Sequence, residues 1–279
     1  MPELPEVEAG RRMAEAVAAG KVIASAQCAD DCIVFADDVE PARVCSVLTG
    51  KRVIGIYRRG KHVWFELDSP PHLLIHFGMT GGFRTPNERG VQLVSSGKKV
   101  DASWPPRFTK LHLHMSDGSE LIMVDGRRLA RIRLRCDPLH EPPISTLGFD
   151  PLLELPSPDT FVKLLRQRRT NIKALLLDQT FAAGVGNWVA DEVLYHARIS
   201  PWRRTTELSD EQIKRLRLSL KRVIETAVAA NAQSDRYPRT WLFHHRWGKN
   251  RNAQTARGER IRHDTIAGRT TAWVPAVQR

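Results

Sequence analysis

The run Lys51-Arg52-Val53-Ile54-Gly55-Ile56-Tyr57-Arg58-Arg59-Gly60-Lys61-His62-Val63-Trp64-Phe65-Glu66-Leu67 sets two β-rich stretches, 51–57 and 62–67, on either side of a short glycine-containing segment. Apolar and β-branched residues broken by a tight turn signal predict a β-hairpin turning at Arg58-Arg59-Gly60-Lys61. Working outward, Leu73 to Phe77 reads as another strand running into a glycine-broken loop at Gly78, Gly81 and Gly82. Lys110 to Met115 and Glu120 to Val124 are joined by Ser116-Asp117-Gly118-Ser119, a strong turn signal, and Ala130 to Arg135 alternates again. Upstream, Pro5 suits a first helical turn, and Val7, Gly10, Met13, Ala14 and Val17 share one face of a helix reaching about Ala19. Residues 1–136 therefore predict a two-layer β-sandwich or flattened barrel with a leading helix.

The character then changes. Six prolines between Pro138 and Pro158 mark a linker, 137–156. From 157 to 232 the pattern is helical. Ser157-Pro158 opens one helix, and Ser209 with Gln212 forms a capping box for another with Ile213, Leu216, Leu220, Val223 and Ala227 on its face. Between them, Ile172 to Asp178 and Trp188 to Ala197 read as two helices around the turn Ala182-Ala183-Gly184-Val185-Gly186-Asn187. Residues 233–279 return to short strands. The predicted class is α+β, in the order β, α, then a small basic β unit.

Composition narrows the partners. The chain of 279 residues has a formal charge of +12 and a pI near 10.0, which favours a polyanion bound through phosphate neutralisation. From Tyr237 to Arg279 nine Lys and Arg face only Glu259 and Asp264, interleaved with Trp241, Phe243, Trp247, Ile261, Ile266, Trp273 and Val274. That interleaving is unlike a disordered polyion. No stretch approaches the roughly 18 apolar residues of a membrane span, and the opening residues do not read as a secretion signal. Cys28, Cys32, Cys45 and Cys136 lack C-x-x-C spacing and read as reduced structural thiols of an intracellular protein. No cofactor or metal site is expected.

The opening Met1-Pro2-Glu3-Leu4-Pro5-Glu6-Val7-Glu8 contains candidate chemistry. A small penultimate residue permits removal of Met1, which would leave Pro2 with a free secondary amine. An α-amino group titrates near ~7.7 to 8.0, so an appreciable fraction is neutral at working pH, and a helix N-terminus lowers the value further. Such an amine attacking an aldehyde-level sugar carbon gives a cationic iminium directly, an electron sink that acidifies adjacent C–H bonds. Glu3 alongside is a candidate general acid.

Taken in order, Met1 to Glu8, Arg59-Gly60-Lys61, His76-Phe77-Gly78-Met79-Thr80-Gly81, Asp125-Gly126-Arg127-Arg128, and Gly184-Val185-Gly186-Asn187 running on to Ala190-Asp191-Glu192-Val193-Leu194 resemble the motifs of the formamidopyrimidine-DNA glycosylase and endonuclease VIII family. The resemblance covers nearly the whole chain. It implies an N-terminal β-sandwich, a helix-two-turns-helix domain, DNA held in a cleft, and a bifunctional glycosylase and lyase of base excision repair ending in β,δ-elimination. It further implies that Pro2 is the Schiff-base nucleophile, Glu3 its acid-base partner and Glu6 a second carboxylate beneath the damaged base. Lys61 and Asn187 match phosphate contacts, the latter at a helix start where N–H groups point at anions. Met79 and Arg127 match residues that fill the duplex when the lesion is turned out, since lost stacking must be replaced.

Three departures refine that resemblance. Leu129 stands where many members place a phenylalanine wedge. No cysteine follows Cys136, so a four-cysteine zinc finger cannot form; Ala267 to Pro275 instead resembles the zinc-less finger of plant and fungal members, with Arg269 as the phosphate clamp. Without zinc, Trp241, Phe243, Trp247 and Trp273 are expected to supply burial. The segment Gln233 to Arg246 is short, as in plant-like members, which implies weak excision of 8-oxoguanine and better activity on formamidopyrimidines, hydantoins, abasic sites and some oxidised pyrimidines. The expected partner is double-stranded DNA carrying such lesions, met by a monomer, in the nucleus of a eukaryote or the cytoplasm of a bacterium. The rival reading is a non-catalytic DNA-binding protein, which gives no reason for Pro2 and Glu3 to stand where they do.

Overall fold

A computed structural model describes residues 1–37, 39–87, 90, 103–248 and 252–279. Lys249 and Arg251 of the basic C-terminal run lie outside the described residues. The chain divides into two compact units, Met1–Thr146 and Leu147–Arg279.

In the first unit, helix α1 (Leu4–Ala18) has Glu3 as its N-cap and Pro5 in its first turn. Proline is accommodated there because that N–H has no helical acceptor in any case. The strands β1 (Ile23–Cys28), β2 (Val53–Arg59), β3 (His62–Leu67), β4 (His72–His76), β5 (Gly82–Arg84), β6 (Thr109–Met115), β7 (Glu120–Val124) and β8 (Arg131–Arg135) form two antiparallel four-stranded sheets, β1-β6-β7-β5 and β2-β3-β4-β8. The expected sandwich is thus present. Its core draws Ile56, Val63 and Phe65 from one sheet and Phe83, Leu111 and Met123 from the other, with Val7 and Ala14 of α1. Gly10 lets α1 lie against Phe77, since a Cβ there would come within 2.9 Å of the ring.

Three elements differ from the sequence expectation. Strand β1 and helix α2 (Pro41–Leu48) were not anticipated, and Gly82 belongs to a short strand paired with β7 rather than to a loop. The exposure pattern of β1 does not alternate cleanly, and α2 buries only Val44 and Leu48.

The second unit contains α3 (Pro158–Arg166), α4 (Ile172–Leu177), α5 (Asn187–Ala197) and α6 (Asp210–Ala229), followed by the hairpin β9 (Arg262–Ile266) and β10 (Arg269–Trp273). The Ser209 capping box is in place: its Oγ accepts the Gln212 N–H at 3.3 Å, and Gln212 Oε1 accepts the Ser209 N–H at 2.9 Å. The proline-rich stretch packs at both ends. Ile144 is buried with Trp64 and Leu74 in the first unit, and Phe149 meets Phe161 and Phe181 in the second. No helix among the described residues is long and apolar enough to cross a membrane.

Candidate functional site

The amino terminus sits in a mixed field. The amine of Met1 is held below the ordinary value by burial and by the positive charges of Lys61 and Arg127, while Glu3 and Glu6 oppose the change. Three stretches far apart in sequence, residues 1–6, Lys61 and Arg127, therefore act on the same amine. Pro2, Glu3 and Glu6 are all buried. Glu6 Oε2 accepts the Glu3 N–H at 2.9 Å, which ties the two carboxylates to one helical turn. Burial, followed by the neighbouring Glu3 carboxylate, pushes the Glu6 carboxyl up to about 8, so it is largely neutral near pH 7.

Lys61 is delivered by a braced turn. The β2–β3 connection is two residues long, and Gly60 has a φ of 57°, positive where a II′ turn calls for glycine. Arg58 is buried, donates to the Gly60 carbonyl at 2.9 Å, and donates from Nε to Glu8 on α1 at 3.0 Å. Burial alone would raise the Glu8 carboxyl, but Arg11 and Arg58 hold it below its ordinary value. Helix α1 and the Lys61 turn are thereby one ionic unit.

Two further loops are clasped together. Gly78 has a φ of 64°, and a Cβ there would lie 2.4 Å from the Leu129 backbone, so the 77–82 loop presses directly on the 125–130 loop. Asp125 fixes the pairing. Its buried carboxylate accepts from Thr80 Oγ1 at 2.9 Å, from the Arg127 N–H at 3.0 Å, and from the Leu129 and Ala130 N–H groups at 2.7 Å each. Met79 is half-buried and Arg127 exposed, while Leu129 shows 38% of its surface, high for a leucine. Arg128 turns away onto Asp31, which also holds Lys110 at 2.7 Å. Beneath the loop, His76 Nδ1 accepts the Gly78 N–H at 3.1 Å, and the His62 and His76 rings lie 4.9 Å apart. Burial brings His62 down to about 3 and His76 to about 4, with His76 and Lys61 respectively adding to the effect, so both imidazoles are neutral.

In the second unit Asn187 opens α5 behind Gly186 as N-cap. Its Nδ2 donates to the Thr270 carbonyl at 2.7 Å, one residue beyond the exposed Arg269, so the structure brings these two candidates together. The hairpin is anchored by Asp191. That buried carboxylate pairs with Lys173, takes Arg246 Nη2 at 2.5 Å, and accepts the Ala272 N–H of β10 at 3.0 Å. Lys173 Nζ donates also to the Asn187 carbonyl at 2.9 Å. Next door, buried Glu192 accepts the N–H groups of Leu242 and Phe243 at 3.1 and 2.7 Å. The expected aromatic support is present in part. Trp241 and Phe243 are buried around Trp188 and Tyr237, whereas Trp247, packed edge-on against Phe243, and Trp273 are only half-buried. The Trp273 indole donates to Asp264 at 2.8 Å.

The bracing residues went unassigned in the sequence. Asp125 and Asp191 stand inside recognisable motifs, which was the only available signal. Arg58, Lys173 and Arg246 gave none, because their pairings span many residues, and Glu8, although inside the opening motif, was not read as a brace.

Residues 1–132 match the model of the formamidopyrimidine-DNA glycosylase N-terminal domain, and residues 147–238 match that of its H2TH domain. A formamidopyrimidine-DNA glycosylase of Arabidopsis thaliana is 42% identical over the whole of this chain and 71% of its own length. One from Thermus thermophilus is 33% identical, covering 100% of this chain and 98% of its own. Among solved structures, the Lactococcus lactis formamidopyrimidine-DNA glycosylase bound non-covalently to DNA containing an AP site is 27% identical with a TM-score of 0.80, covering 99% of both chains. A MutM in complex with DNA containing carbocyclic 8-oxo-G is 29% identical at a TM-score of 0.80 over 100% of both chains.

Proposed function

The chain belongs to the formamidopyrimidine-DNA glycosylase family, and on that footing we propose that Pro2, freed of Met1, is the nucleophile of an oxidised-base DNA glycosylase and AP lyase in base excision repair. The observation that carries this reading is the shared field of the amino terminus, Glu3, Glu6, Lys61 and Arg127.

The chemistry follows from that field. Once Met1 is removed, the Pro2 amine would enter the same surroundings, where burial and the neighbouring cations favour the neutral form with its lone pair ready. It attacks C1′ of the everted nucleotide, the C1′–N bond breaks, and the base leaves with a proton. Glu3 supplies protons to the opening sugar, and the resulting C1′ iminium draws electrons from C2′. Loss of a C2′ proton breaks the C3′–O bond, a second elimination breaks the C5′–O bond, and hydrolysis of the imine restores the amine. Glu6, largely neutral at pH 7, can donate a hydrogen bond beneath the base. Lys61, Asn187 and Arg269 grip phosphates, and Met79, Arg127 and Leu129 occupy the space left by the lesion, whose extrusion costs a few kcal/mol.

Substrate choice follows the same logic. The 233–246 segment is short and folded into the aromatic cluster of Trp188, Tyr237, Trp241 and Phe243, which supports preference for formamidopyrimidines and hydantoins over 8-oxoguanine. The partner is double-stranded DNA, and the enzyme works where the chromosome is, the nucleus in a eukaryotic cell.

Borohydride trapping on an oligonucleotide with one abasic site tests the assignment. The expected result is a covalent complex with the mature chain and none with a chain that retains Met1. Glu3→Gln should slow release of a damaged base more than it slows trapping on a preformed abasic site. Equal trapping by the Met1-bearing chain would overturn the role of Pro2.

A further inference from the structure

On the face of the β1-β6-β7-β5 sheet, three ligating side chains converge that the repair chemistry does not use. His112 and His114 are two apart on β6, which places both on one side of the sheet. His114 pairs directly with Glu120 at the start of β7, and His112 lies on the diagonal. His112 Nε2 is 2.6 Å from Glu120 Oε2, and His114 Nδ1 is 3.9 Å from the same oxygen. One ligand atom from each residue falls within 4.8 Å of the others. The two rings lie 4.0 Å apart between centroids, tilted by 33°.

We propose that His112, His114 and Glu120 form a binding site for a borderline divalent cation, zinc foremost, that staples β6 to β7. Ligand atoms at ~2.0 to 2.2 Å around a tetrahedral zinc stand about 3.3 Å apart. The two measured separations of 2.6 and 3.9 Å straddle that figure, so small side-chain rotations close the set. Two neutral imidazoles and one carboxylate are a ligand set that zinc accepts, with the fourth position left to water. The carboxylate is already oriented from outside: Trp104 Nε1 donates to Glu120 Oε2 at 2.9 Å, and the Trp104 ring meets His112 edge to face. Such an outer donor fixes the direction from which a metal is approached. The cation replaces any proton shared between His112 and Glu120, and that proton is released to solvent. The sequence reading assigned no metal here because the histidines and the glutamate meet only once the β6–β7 turn has closed.

The test is titration of the metal-free chain with Zn2+ alone, followed by calorimetry and thermal unfolding, with Co2+ as a spectroscopic substitute. The expected result is one high-affinity cation per chain, a raised Tm, and Co2+ bands of a four- or five-coordinate site. His114→Ala and Glu120→Gln should each weaken binding at least tenfold. Both positions are only partly buried, so these variants keep the fold where a His112 variant would risk it. Replacing His244 and His245 together should leave binding unchanged. Absence of binding at one equivalent overturns the proposal, as does binding that His114→Ala leaves intact or that the His244 and His245 replacement removes.

Discussion

Two buried carboxylates, Asp125 and Asp191, do comparable work by opposite means. Asp125 organises the loop of Arg127 and Leu129 and, among the described residues, meets no cation: it is satisfied by one hydroxyl and three backbone N–H groups. Asp191 organises the Arg269 hairpin and is satisfied by Lys173 and Arg246 with a single N–H. The first arrangement is local and shapes the backbone directly. The second is long-range and balances one buried anion against two cations, so its integrity depends on all partners being present. A loop that must present side chains at fixed positions is held by its own N–H groups; a hairpin without cysteines is held by charge.

The sharpest way to break the comparison is Asp191→Ala. It strands two buried cations, and losing one member of a buried ionic set costs about 3 to 5 kcal/mol. Calorimetric unfolding should show that loss, and DNA binding should weaken because the hairpin no longer holds Arg269 in place. Asp125→Ala should cost somewhat less, about 3 kcal/mol, since its lost partners are backbone N–H groups. Its signature is different: base excision should fall while binding to abasic DNA keeps its salt dependence. If both variants lose binding equally, the division of labour is wrong.

Acid should separate the two regions next. His62 and His76 are brought down to about 3 and 4 from an ordinary 6.5, so the unfolded chain protonates first. Their contribution is complete above pH 6.5 and is lost as pH falls toward 4 and then 3, at up to about 1.4 kcal/mol per pH unit for each ring. Thermal midpoints across that range should fall, and His62→Asn should flatten the slope. The smallest effect is on counterion release. Slopes of log K against log salt follow about −0.9 per phosphate contact, so Lys61→Ala and Arg269→Ala should each reduce the magnitude by about one.

The sandwich and the helical unit were legible because turns, caps and periodicity are local: the hairpin turn, expected at 58–61 and found tightened to Gly60-Lys61, and the Ser209–Gln212 box are written in neighbouring residues. Strand β1, Ile-Ala-Ser-Ala-Gln-Cys, and the eight-residue α2 escaped because neither is long enough nor regular enough to show a period. The candidate site divides the same way. Pro2, Glu3, Lys61 and Arg127 could be picked out by motif, whereas Asp191, although inside a motif of its own, gave no hint of what it would pair with. Its partners, 18 and 55 residues distant, become visible only when the chain is folded.

Sulfur is distributed unevenly along this chain. Every cysteine and every methionine lies at or before Cys136, so the unit from Leu147 to Arg279 contains none. A clamp assembled from ammonium, guanidinium and carboxylate offers peroxide no thiolate to convert to sulfenic acid and no thioether to convert to sulfoxide. The ionic anchor of the hairpin would thus be unaltered by oxidants that convert the partly exposed Met79 of the other unit to its sulfoxide.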